Sequence, residues 1–195
     1  MASIAAIDQQ AEQKKTEKKP RRVSKAHFLR EYADREDGYK YEWNDGMVEK
    51  TQSMNQQQAI IQAVIMRYFV QTQVFKNGGL FTSETNMDTS PVQLRKPDLA
   101  IYTNEQLLLM KQGQNQIAPW VAEVISSSDN INHVNQKLDE YFQAGVQVVW
   151  HIFPDSKQVY VYTSPEQVTI CRGKTICSAA PALADLEISA DDLFA

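Results

Sequence analysis

The sequence predicts a mixed α/β domain with helices packed on a central sheet. Three observations carry that expectation. Residues 55–76 and the stretch from Ile131 to Phe142 repeat apolar side chains at helical spacing. "VQVVWHIF" is a nearly continuous apolar run, as a central strand requires. Asp45-Gly46 is a strong hairpin-turn signal between two short strand-like runs.

Each element follows in order. Residues 1–23 are polar and carry Lys14, Lys15, Lys18, Lys19, Arg21 and Arg22. They read as a mobile basic tail, either solubilising or a nucleic-acid arm. Residues 24–195 read as one domain. "SKAHFLREYA" places Phe28, Leu29 and Tyr32 at helical spacing, with Ser24 as N-cap. "YKYEWNDGMVEK" is the hairpin. A long helix over 55–76 is expected from Ile61, Val64, Ile65, Tyr68 and Phe69, ended by Gly78-Gly79. "GLFTSE" and "PDLAIYT" are strands, "NEQLLLMK" a short helix or loop insert, and "PWVAEVIS" the next strand. The following helix has Ile131, Val134, Leu138, Tyr141 and Phe142 on one face, Asp129 as its expected cap and Gly145 as its stop. After "VQVVWHIF" and the turn "PDSK", the alternation of "QVYVYT" suits an edge strand. "QVTIC" and "TICSA" suggest a hairpin about Arg172-Gly173, and Ser189 caps a final helical turn.

Composition narrows the function. The chain has 195 residues, 43% hydrophobic and 23% charged, enough for a real core. A net charge of −4 argues against a protein that coats DNA broadly, while leaving room for a local nucleic-acid cleft. No apolar run reaches membrane-span length, and the N-terminus lacks the apolar core of a signal peptide. Cys171 and Cys177 have no CxxC spacing and read as a reduced pair, so a cytoplasmic protein is expected. There is no Gly-rich phosphate loop, GxSxG or HExxH.

Two acids stand out. Asp98 opens "DLAIY" directly after Pro97, and Glu123 interrupts the apolar run "WVAEVIS". A carboxylate inside a strand needs a partner, either a basic residue or a cation. If the two strands lie side by side, the acids converge, and close carboxylates repel unless protonated or bridged. Oxygen ligands favour Mg²⁺ or Mn²⁺, which suits phosphodiester hydrolysis. Lys137 borders the apolar stripe of the next helix. Its ammonium either stabilises charge on a phosphate or snorkels to solvent. Local alternatives stand beside this: Glu42 as the polar face of the first hairpin and Asp98 as a strand-start residue bonded locally; His151 reads as a hydrogen-bonded core residue.

The run from "KPDLAIY" through "APWVAEVISSSDNINHVNQKLDEYFQAGVQVVWHIFPDSKQVYVY", with "YEWNDG" before it and "DLF" after it, resembles the Uma family of restriction endonucleases. That family belongs to the PD-(D/E)XK nuclease superfamily, and the likeness covers roughly residues 24–194. The resemblance implies a restriction-endonuclease-like core and Mg²⁺- or Mn²⁺-dependent cleavage of DNA by a homodimer. Asp98 matches the PD aspartate and Glu123 the acid of the (D/E)XK motif, both metal ligands. The motif's lysine position holds Ile125, whose backbone carbonyl is then a further expected ligand. The lysine's role passes to Lys137 on the following helix. Glu42 matches an early glutamate of the superfamily core, a possible third acid. Relatives carry a histidine near the start of the long helix, where this chain has Gln57 and Gln58; His133 is a substitute candidate. That departure keeps an alternative open, a weak or inactive nuclease-fold module that binds nucleic acid or protein. A hydrolase of RNA or a nucleotide is a third.

Overall fold

The computed structural model describes residues 22–127 and 129–195, so residues 1–21 of the expected tail lie outside the described residues. Val23, at the end of that tail, is part of the fold. Its N–H donates to Gly46 O at 2.8 Å, and its carbonyl accepts from Trp43 Nε1 at 3.0 Å.

In chain order the elements begin with α1 (Lys25–Glu31), β1 (Tyr39–Asn44), β2 (Met47–Gln52), α2 (Gln56–Phe69), α3 (Gln73–Lys76) and β3 (Leu80–Ser83). They continue with β4 (Met87–Ser90), β5 (Gln93–Arg95), β6 (Leu99–Tyr102), α4 (Asn104–Lys111), β7 (Trp120–Val124) and α5 (Ile131–Ala144). β8 (Val148–Phe153), β9 (Gln158–Ser164), β10 (Gln167–Cys171), β11 (Ile176–Ser178), β12 (Glu187–Ser189) and α6 (Ala190–Leu193) complete the chain.

A six-stranded sheet, in the order β10-β9-β8-β7-β6-β3, is the spine. All its pairings are antiparallel except β7–β8, and α5 makes the crossover that a parallel pair requires. Strand alternation divides the side chains between two faces. Trp120, Ala122, Val124, Trp150 and Ile152 pack with Ile61, Ile65 and Phe69 of α2. Val121 and Val149 pack on the other face with Leu138 and Tyr141 of α5. The Trp120 and Trp150 rings meet edge-to-face with centroids 5.2 Å apart. A four-stranded antiparallel sheet, β2-β1-β5-β4, stands beside the spine, with Phe28, Ala33, Tyr41, Trp43 and Leu94 in its own small core. The predicted mixed α/β architecture is the observed one.

Local chemistry explains most boundaries. Asp45 and Gly46 adopt φ of 45° and 84°, the pair of left-handed conformations a tight hairpin needs. Gly145, at φ 107°, stops α5 in the left-handed region. Ser24 and Ser189 cap α1 and α6 as expected.

Several expectations are corrected. The helix over 55–76 is two helices: the Thr72 hydroxyl donates to Phe69 O and accepts from Phe75 N–H, closing α2 and restarting the chain as α3. Asn130 caps α5, whereas Asp129 accepts from Ser126 N–H and Oγ–H within the preceding loop. Ile131 is exposed at the start of that helix. β9 is not an edge, because β10 pairs with it and takes the edge. β11 pairs with β12 and not with β10. Among the described residues, no helix is long and apolar enough to cross a membrane. Cys171 and Cys177 are free and buried.

Candidate active site

β1 is buried on both faces. Tyr41 and Trp43 enter the small core under α1, so the residues that alternate with them, Lys40 and Glu42, point the other way. Lys40 is 6% exposed and Glu42 3%. Two charges so deeply enclosed need compensation. It comes from β5, β6, β7 and α5.

β6 and β7 are antiparallel, with Leu99 opposite Ala122. One step further along that ladder, Asp98 comes opposite Glu123. Asp98 Oδ2 accepts the Val124 N–H at 2.8 Å, which fixes its carboxylate against β7. Its other oxygen accepts from Lys40 Nζ at 2.5 Å. Lys40 Nζ is also 3.9 Å from Glu123 Oε2. The two acids therefore share one cationic group. Glu123 Oε1 faces α5, where it accepts from Lys137 Nζ at 2.8 Å and from the Tyr141 hydroxyl at 2.5 Å. The spacing of four on the helix puts both donors on one side.

Glu42 is held on both oxygens. Oε1 accepts from Lys96 N–H at 2.8 Å and Lys137 Nζ at 3.1 Å, and Oε2 from Arg95 at 3.2 Å. The buried Arg95 guanidinium also grips both oxygens of Glu140 on α5, at 2.6 and 3.0 Å, and contacts Glu49 on β2. The groups form an alternating chain, Glu140–Arg95–Glu42–Lys137–Glu123–Lys40–Asp98. Counting Glu49, five carboxylates face three cations, an excess of two negative charges.

The field of this network sets protonation. Burial by itself would raise the Glu42 pKa, but Lys137, Lys40 and Arg95 outweigh it and bring it to about 2. Burial disfavours the charged forms of Lys40 and Lys137; the facing carboxylates more than offset this and raise both pKa values. Burial, Glu123 and Glu42 push Tyr141 well up, so it remains a neutral donor. Burial brings His151, opposite Glu123 on β8, down to about 4.

These groups line a cavity of about 540 Å³. Its floor holds Lys40, Glu42, Asp98, Glu123, Lys137 and His151, and Ile125 and Val124 also line it. The mouth is formed by Lys50 to Ser53 at the end of the first hairpin, by Asn55 and Gln58 at the start of α2, and by Ser126, Asp129, Asn130 and His133. Gln58, at the position where the resemblance expects a histidine, uses its side-chain oxygen to accept the Asn55 N–H at 2.7 Å. It is half of a capping box, and Gln57 is exposed.

Asp98, Glu123, Lys137, Glu42 and Ile125 thus come to one cavity. Asp98 is tied to Lys40 and to β7 rather than bonded locally, and the Lys137 ammonium is bound to acids rather than carried to solvent. Sequence reasoning missed Lys40 and Arg95. Lys40 and Glu42, two apart in an otherwise aromatic strand, were the available signal. Tyr141 is a core residue as expected, with a polar end that the helical pattern does not reveal.

Whether the donors suit a metal ion is decided by their type and number. Among the described residues no three His, Cys, Asp or Glu side chains converge as a metal-ligand group. Asp98 and Glu123 supply two hard carboxylates facing one cationic group, and Mg²⁺ commonly takes one or two carboxylates and completes its shell with water. The donor set fits a divalent ion held by two acids, on condition that the Lys40 ammonium withdraws.

Comparison with known proteins agrees with this architecture. The Uma2 family model, described as "Putative restriction endonuclease", matches residues 26–191. A crystal structure described as "a putative nuclease belonging to DUF820 from Anabaena variabilis ATCC 29413" superimposes with a TM-score of 0.65. It shares 18% identity, over 79% of this chain and 89% of that one, a likeness of fold. No curated protein matches the chain.

Proposed function

The chain belongs to the Uma2 family of restriction-endonuclease-like proteins, and on that premise we propose that it is a divalent-metal-dependent endonuclease that hydrolyses DNA phosphodiester bonds. One observation carries the reading: Asp98 and Glu123 face a single cation position at the floor of the cavity, with Lys137 bound to the far oxygen of Glu123.

Asp98 and Glu123, with the Ile125 carbonyl, would hold Mg²⁺ or Mn²⁺. Such an ion lowers the pKa of a bound water and offsets phosphate charge. The chain's own residues do the rest. Val124 N–H keeps the Asp98 carboxylate in place. Lys137 donates hydrogen bonds near the acids, where it would orient the attacking water and stabilise the charge that develops on phosphate. Glu42, engaged by Lys96, Arg95 and Lys137, would position that lysine. Tyr141 would satisfy the Glu123 oxygen that faces α5, leaving Oε2 for the cation position. Residues 24–195 would act as one domain, and a homodimer would place two such sites on the two strands of a duplex.

The test is cleavage of plasmid DNA by the purified protein with Mg²⁺ or Mn²⁺. Loss of cleavage in Asp98→Ala and Lys137→Ala is expected; cleavage surviving in both would sink the role assignment. A second reading, a binding module without catalysis, is favoured by one observation, the use of Gln58 as a capping residue where the resemblance expects a histidine. Calorimetry separates the two, because a module without the metal site binds no Mn²⁺.

A further inference from the structure

The Lys40 ammonium occupies the cation position of the two acids. Its Nζ lies 2.5 Å from Asp98 Oδ1 and 3.9 Å from Glu123 Oε2. The oxygens of Glu123 are divided by role: Oε1 belongs to Lys137 and Tyr141, and Oε2 looks toward Lys40 and Asp98. Two carboxylates drawn this close repel unless a cation stands between them. One ammonium supplies a single charge, and the surrounding network still carries an excess of two negative charges.

Resting on the nuclease reading above, we propose that Lys40 is the resident cation of the metal-free site and that a divalent ion binds by displacing its ammonium from Asp98 into the cavity. Room for the displaced group exists, since Lys40 lines the same cavity of about 540 Å³. Lys40 arises from β1, in the four-stranded sheet, while Asp98 and Glu123 arise from the spine. The lysine therefore fastens one sheet to the other when the ion is absent, and the ion releases that fastening. The apparent affinity for metal is the intrinsic affinity of the two acids multiplied by the fraction of molecules in which Lys40 is disengaged. Lys137 is different. It holds Glu42 and the opposite oxygen of Glu123, and it stays when the ion arrives.

Two measurements test this on the full-length chain. The first is calorimetry with Mn²⁺ on the wild type, Lys40→Met and Lys137→Met, with Lys40→Gln as a second variant if Lys40→Met fails to fold. Removing one charge-assisted hydrogen bond that competes with the ion should tighten binding roughly ten- to a hundredfold in the Lys40 variant. A smaller gain is expected for Lys137→Met. Equal gains would mean a general charge effect, and unchanged or weaker binding in the Lys40 variant would mean that the lysine does not compete; either overturns the proposal. The second is ¹⁵N NMR of the lysine ammonium groups, with Lys40 assigned by Lys40→Arg. A protected Lys40 signal that moves to the solvent-exposed position as Mg²⁺ is added is the expected result, and a signal that saturating Mg²⁺ leaves in place refutes displacement. Absence of metal binding in every variant removes the nuclease reading together with this inference, whereas metal binding without Lys40 displacement removes the inference alone.

Discussion

The hydroxyl of Tyr141 donates to Glu123 Oε1 across 2.5 Å, from one turn beyond Lys137 on the same helix. A helical residue that packs like any core aromatic thus also satisfies the acid of the neighbouring strand. Tyr141 is completely buried, so its oxygen has little alternative.

Tyr141→Phe should therefore cost about 1–3 kcal/mol of stability, since one lone pair of a buried carboxylate loses its donor. Urea unfolding of metal-free protein measures it. Lys137 still holds the same oxygen, so Mn²⁺ affinity should change less than threefold or so on the same scale. A much larger loss of metal binding would show that Tyr141 aims Glu123 as well as satisfying it.

Arg95→Met is expected to be far more damaging. The guanidinium is 1% exposed and holds Glu140 through two bonds, and its loss takes the donor from Glu140 Oε2 and from Glu42 Oε2 inside the fold. Removing one partner of a buried ion pair typically costs about 3–5 kcal/mol. Arg95→Lys should recover little, because an ammonium cannot reproduce the paired bonds of the fork. Both are read from the midpoint of urea unfolding.

Glu42→Gln separates positioning from metal binding. The amide keeps much of the shape and loses the charge that holds Lys137. On the proposed roles, DNA cleavage falls about tenfold or more, the scale of a mispositioned catalytic group. Mn²⁺ affinity by calorimetry stays close to wild type. A matched fall in affinity would place Glu42 among the metal ligands.

Acid should weaken the metal-free fold in two stages. His151 is buried and its folded pKa is lowered to about 4 from an ordinary value of 6.5. The unfolded chain binds that proton first, so stability is present above about 6.5 and is lost as pH falls toward about 4. The loss over that window is roughly 2–3 kcal/mol. Glu42, lowered from 4.5 to about 2, adds a second loss that begins below about 4.5. Thermal melting against pH, in wild type and His151→Gln, checks the first stage: the variant should show a flatter profile between pH 6.5 and 4.

Parts of this molecule can be read in the chain because their causes are local. The Asp45-Gly46 turn needs only two residues that tolerate positive φ, and α5 declares itself by its apolar stripe and by Gly145. Glu123 announces that it needs partners because nothing polar surrounds it in sequence. The partners themselves are not local. Lys40 lies 58 residues before Asp98 and meets it only when two sheets come together. β4 and β5, of four and three residues, are too short to show a period, so both were missed. The pairing of β11 with β12 in place of β10 is settled by the packing of the C-terminal segment onto α2, since Ile188 and Leu193 join Ile61 and Ile65 in one core. The split between α2 and α3 turns on a single hydroxyl, that of Thr72.

The bond between Lys137 and Glu42 joins positions 95 residues apart. Closing a loop of that length costs more chain entropy than forming the local hairpin and helices. The acid cluster exists only while the four-stranded sheet rests on α5, because Glu42 and Arg95 come from that sheet and Lys137 and Glu140 from the helix. An early melting step would silence the cavity while the spine, with its two tryptophans, still stands.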